Sequence, residues 1–118
     1  MLLRSAVTCA AIILGIVSAF AGDPAGNYLV RGSNPGGGSP YDGTVRVENS
    51  GDTYRVTWVI AGQTYIGTGI GTGQGFAVAY RSGNQTGIAY YVPRGNDWDG
   101  TWTYTGGRQV GGETWTRR

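Results

Sequence analysis

From residue 26 onward, apolar and polar side chains alternate in short runs, and clusters of Gly, Asn, Asp, Ser or Pro interrupt them about every 11 residues. Successive side chains of a strand point to opposite faces, so a period of two confines the chain to half-buried β-structure. Eight such runs can be counted, at 26–32, 43–49, 53–60, 64–70, 76–81, 87–92, 98–104 and 111–117. Composition closes off the helical alternative. Beyond residue 21 there is one leucine, Leu29, and no lysine, methionine, histidine or cysteine, while all 8 tyrosines and all 4 tryptophans lie there. Strong helix formers are scarce in that stretch and strand formers abundant.

The faces follow from the alternation. Tyr28 and Val30 share one face of the first run, and Val45 and Val47 one face of the second. Tyr54, Val56, Trp58 and Ile60 share a face of the third, opposed by Arg55 and Thr57. Phe76, Val78 and Tyr80 point inward from the fifth, leaving Ala77 and Ala79 outside. In the sixth run Ile88, Tyr90 and Val92 compete with Ala89 and Tyr91 for the interior, and parity alone does not choose. Trp98, Gly100, Trp102 and Tyr104 share a face of the seventh run, and Glu113, Trp115 and Arg117 a face of the eighth.

Asn49-Ser50-Gly51-Asp52, Ala61-Gly62, Ser82-Gly83-Asn84 and Arg94-Gly95-Asn96 supply the positive backbone dihedrals that tight hairpins require. Tight hairpins between consecutive strands make an antiparallel meander. The expected fold is therefore an all-β, eight-stranded up-and-down barrel, whose closure leaves no free edge. Glycines inside the runs, at 43, 67, 69, 87 and 100, suit the crowded contacts of a small barrel. Thr, Arg, Glu and Asp occupy the outward positions of runs two, three and seven, so the barrel is not expected to insert into a membrane.

Residues 1–21 read as an export signal: Arg4, an apolar stretch over 6–17, then Ala19-Phe20-Ala21 as a cleavage site. The apolar run is shorter than the roughly 20 residues of a membrane-spanning helix. Cys9 lies too early in it, and follows the wrong residue, to be a lipidated cysteine. The protein is thus expected in the periplasm or outside the cell, as a single domain over 22–118 with no disulfide. With 9 arginines against 7 carboxylates in the whole chain, its charge is too balanced to mark a nucleic-acid partner. Lacking imidazole, thiol and amine side chains beyond residue 21, the domain is read as a non-enzymatic binding protein without cofactor or metal.

Two binding readings follow. A protein-interaction module, adhesin-like or inhibitor-like, would use loops or an apolar patch of Ile66, Ile70, Ala77 and Ala79, which also suits self-association. Alternatively, Tyr54, Trp58, Tyr80, Trp102 and Trp115 would line a cup for a small apolar or aromatic ligand. An eight-stranded barrel is just wide enough either to be filled by such side chains or to hold one small guest. The long segment 32–41 could cover the mouth of such a cup. Asn96-Asp97-Trp98-Asp99 offers too few oxygen ligands for a calcium loop, and Glu113 is read as a partner for Arg117 or another arginine.

Gly26-Asn27-Tyr28 at the first strand and Trp115-Thr116-Arg117 at the last resemble the calycin arrangement of lipocalins, avidins and bacterial protease inhibitors. That resemblance implies a barrel end closed by an arginine over a first-strand aromatic, with Tyr28 in the place of a tryptophan. Asn34-Pro35-Gly36-Gly37-Gly38, Tyr54-Arg55-Val56-Thr57-Trp58, Ala77-Val78-Ala79-Tyr80-Arg81, Gly100-Thr101-Trp102 and Gly112-Glu113-Thr114-Trp115 are similar to a group of small exported bacterial proteins, some labelled fibronectin-binding. The second resemblance implies export, a β fold and, for some members, a protein partner.

Overall fold

A computed structural model describes residues 22–118, so the expected export signal at 1–21 lies outside the described residues. The eight runs are eight strands: β1 (Gly26–Ser33), β2 (Pro40–Ser50), β3 (Thr53–Ile60), β4 (Gln63–Thr72), β5 (Gly75–Ser82), β6 (Gln85–Arg94), β7 (Asp97–Tyr104) and β8 (Gly111–Arg117). Each pairs antiparallel with the next, and β1 also pairs with β8, closing the barrel in chain order. Every strand therefore has two hydrogen-bonded neighbours, and neither a helix nor a free sheet edge is found among the described residues.

Two-residue hairpins join β2 through β7, with closing pairs Ser50↔Thr53, Ile60↔Gln63, Thr72↔Gly75, Ser82↔Gln85 and Arg94↔Asp97. At the β3–β4 turn both central residues, Ala61 and Gly62, have positive φ, 53° and 78°, the conformation that matches strand twist. Ala61 is the one non-glycine residue with positive φ among those described. The longer loops, 34–39 and 105–110, lie at the same barrel end and are tied together by Gly36 N donating to Val110 O at 3.1 Å.

Register decides what the sixth run leaves open. The Gly83-Asn84 hairpin sets Val78 opposite Ala89 and Phe76 opposite Tyr91, and β7 sets Trp102 opposite Ala89. Paired residues share a face, so Ala89 and Tyr91 are buried while Ile88, Tyr90 and Val92 face outward. The ladders of β4 run unbroken through Gly67 and Gly69, so no bulge hides the outer residues there. The inner glycines serve large neighbours instead. A Cβ at Gly67 would run into Val78 and crowd Trp58, one at Gly87 into the Tyr80 phenol, and one at Gly100 into the Tyr91 ring.

One barrel end is sealed. The Arg117 guanidinium lies 4.8 Å from the Tyr28 ring centroid and donates to the carbonyls of Ala25 (3.0 Å) and Asp23 (3.1 Å), with Nε donating to Asn96 O (3.2 Å). The Tyr28 hydroxyl donates to Pro24 O at 2.5 Å, so the chain entering β1 is folded across that end as a plug. Above the plug, Tyr91 and Trp115 pack with centroids 4.1 Å apart, and Phe76 meets Trp98 edge-on at 5.1 Å. Packed rings thus fill the sealed half of the barrel.

Candidate functional site

The other half is not filled. Toward the end that carries the two long loops, a cavity of about 190 Å³ opens between the strands. Its wall is aromatic: Tyr41 from β2, Trp58 from β3, Tyr65 from β4, Tyr80 from β5, and Trp102 and Tyr104 from β7. Each sits at an inward position of its strand. The rings brace one another in edge-on pairs, Trp58 with Tyr80 at 5.9 Å, Tyr65 with Tyr80 at 6.3 Å and Trp102 with Tyr104 at 5.2 Å. Edge-on packing leaves ring faces free to meet a guest. Asn34, Gln63 and Gln85 bring polar ends to the rim.

Glu113 lines the cavity floor from β8, 8% exposed, and is the one charged side chain in the buried set. Oε1 accepts from the Tyr91 hydroxyl (2.7 Å), Trp115 Nε1 (2.9 Å) and Trp58 Nε1 (3.3 Å), and Oε2 accepts from the Tyr41 hydroxyl (2.7 Å). Four neutral donors from four strands therefore converge on one carboxyl group, the arrangement that makes an interior carboxylate tolerable. Burial first, and then the neighbouring Glu113 charge, push the Tyr41 and Tyr91 hydroxyls far above the usual phenol range, so both remain donors. Tyr80 is raised as well, chiefly by burial and next by the nearby Tyr104.

Of the aromatic residues expected to line a cup, Trp58, Tyr80 and Trp102 do so. Tyr54 and Trp115 do not. Tyr54 lies near the sealed end of β3, packed on Phe76 at 5.9 Å, and Trp115 is fully buried beneath the floor, where it holds Glu113. The reading of Glu113 as an arginine's partner is also overturned. Arg117 shares its face but lies four residues further toward the sealed end, where backbone carbonyls occupy it. Tyr41, at the end of the long segment 32–41, carries no alternation signal of its own, yet Pro40–Asp42 extend the ladder against Arg31–Ser33. Its Tyr-Asp-Gly-Thr motif, repeated as Trp98-Asp99-Gly100-Thr101 on β7, was the available signal.

Loop 34–39 is bound to the rim. Asn34 Nδ2 donates to the carbonyl and hydroxyl of Ser39, and Asn34 itself faces the cavity. The carboxylates near the β6–β7 turn are engaged locally, Asp99 with Arg94 Nε at 3.0 Å and Asp97 with the backbone N–H of Arg117 at 2.9 Å.

The expected patch lies on the outer face of β4–β6. Ile70, Ala77 and Tyr90 stand side by side in one row, and Thr68, Ala79 and Ile88 in the next, with Ile66 beside Arg81 beyond them. Ile70 (62% exposed), Ile88 (56%) and Tyr90 (53%) project fully, Ile66 less so, and Ala77 is half-buried.

No protein-family model matches the chain, and no curated protein matches it either.

Proposed function

We propose that this protein is an exported, non-enzymatic binding protein whose barrel mouth holds one small aromatic or apolar molecule. A single observation carries the reading: an eight-stranded barrel packed solid in one half keeps an aromatic-walled cavity in the other, floored by a carboxyl group held by hydrogen bonds. Cavities of comparable size in protein cores accept a benzene-sized guest, and binding sites combine apolar walls with a few convergent polar groups. The Arg117 and Tyr28 seal supports the resemblance to the calycin architecture, and the mouths of β-barrels are preferred places for ligand pockets. Mass spectrometry of the protein from the exported fraction of its own host, native against denatured, tests the reading. A reproducible mass excess lost on denaturation is expected. A bare polypeptide mass, together with no guest uptake by the refolded protein, would overturn it.

The outer face of β4–β6 favours a second reading, a protein-binding module. Its two central rows carry no charge to select an oppositely charged partner, and an uncharged apolar face suits pairing with a second copy of the chain. Ala79→Glu should then convert a dimer seen by light scattering into a monomer. A protein that is monomeric before the substitution would sink this reading and leave the first intact.

A further inference from the structure

The carboxylate at the cavity floor has donors but no counter-charge. The ion pairs among the described residues are Arg46–Glu48 and Arg94–Asp99, both on the outer surface, and Arg117 is spent on carbonyls at the far end. Neutral donors solvate the Glu113 group without cancelling its charge, and enclosure by rings weakens the screening that water would provide. The acceptor capacity is also unevenly used. A carboxylate offers about four lone-pair sites, two on each oxygen. Oε1, turned toward Trp115, takes three donors, whereas Oε2 takes only Tyr41, a ring that itself lines the cavity. Above it stand six aromatic side chains whose faces carry the negative end of the ring quadrupole, and no arginine lines the wall. Both features repel an anion and attract a cation. A metal ion fits poorly, since hard cations require about six oxygen ligands and the cavity presents one carboxylate.

We propose that the cavity selects a small organic cation, an ammonium group on a body no larger than one aromatic ring, with the charge directed at Glu113 and the body between the wall rings. The inference rests on the cup reading and names its ligand class. Cavity volume limits the body, the open Oε2 site suits an N–H donor, and the ring faces suit the charge.

Three soluble probes of one shape separate the possibilities: benzylammonium, benzyl alcohol and benzoate, titrated into the full chain's exported product while the indole N–H resonances of Trp58 and Trp102 are followed. Benzylammonium should bind about tenfold or more tightly than benzyl alcohol, the ratio expected of one cation–π and charge contact, and benzoate should not compete. In Glu113→Gln the ratio should collapse toward unity while benzyl alcohol still binds. Trp102→Leu, which leaves the Glu113 bonds in place, covers the case that Glu113→Gln does not fold. It should weaken the amine more than the alcohol, and equal weakening would count against the inference. Equal affinity of amine and alcohol in the unaltered protein would overturn the cationic selectivity and keep the cup. Failure of all three probes to move either indole up to their solubility would overturn both.

Discussion

Removing one hydroxyl tests whether Glu113 is held as the geometry indicates. In Tyr91→Phe the ring keeps its contacts with Trp115 at 4.1 Å and Phe76 at 5.4 Å, and only the 2.7 Å bond to Glu113 Oε1 is lost. Hydrogen bonds to charged groups contribute about 1.5–3 kcal/mol and Tyr91 is fully buried, so a loss of about 2 kcal/mol is expected. For a domain of this size that lowers Tm by roughly 8–16 °C. Urea unfolding followed by tryptophan fluorescence is the assay, and the midpoint should fall at constant m. Tyr28→Phe is the internal comparison. Its hydroxyl donates to the neutral Pro24 carbonyl, for which about 1 kcal/mol is expected. In a Glu113→Gln background the Tyr91→Phe cost should drop below about 1.5 kcal/mol, because the acceptor is then uncharged. A cost under about 0.5 kcal/mol in the unaltered protein, or one identical in both backgrounds, would refute the reasoning.

Three further outcomes follow from the same structure. Ala61 holds a left-handed conformation, φ 53°, that disfavours a Cβ by roughly 1–2 kcal/mol, so Ala61→Asn should stabilise the protein by about 0.5–1 kcal/mol; an unchanged or lower Tm would show the turn to be unstrained. Gly100→Ala places a Cβ against the pinned Tyr91 ring and should cost about 1–3 kcal/mol, whereas Gly112→Ala, with open space beside it, should be near neutral; equal effects of the two in urea unfolding would contradict the packing. At high pH the buried phenols work against the fold. Tyr41 and Tyr91 have folded pKa values raised above the unfolded value of 10.0, so their stabilisation is fully present below pH 10. Each then loses about 1.4 kcal/mol of it per pH unit above 10, as the unfolded chain ionises first. Alkaline unfolding should therefore coincide with the late phenolate absorbance, and full tyrosine ionisation with native circular dichroism intact would exclude it.

Much of this architecture is local and hence legible in the residues. Period-two runs broken by Gly62, Gly83 and Gly95 name the strands and their order, because alternation and positive-φ turns act within a few residues. Strand ends were less legible. Pro40–Asp42 become strand only because Arg31–Ser33 are there to pair with them, and such a partner has no signature in the segment itself.

What required the tertiary structure was everything that depends on which inward residues share a level of the barrel. Parity placed Tyr54, Trp58, Tyr80, Trp102 and Trp115 on inward faces, yet strand stagger set Tyr54 near the sealed end and Trp115 under the floor, leaving the other three around a cavity. The β6 choice went against hydrophobicity, with Ala89 inside and Ile88 outside, because the pairings with β5 and β7 set Ala89 opposite the inward Val78 and Trp102. Glu113 is the sharpest case. Its sequence neighbours suggested an arginine, whereas its partners Tyr41, Trp58 and Tyr91 come from 72, 55 and 22 residues away. Alternation along a strand determines which face a side chain takes, and only closure of the barrel decides what it meets there.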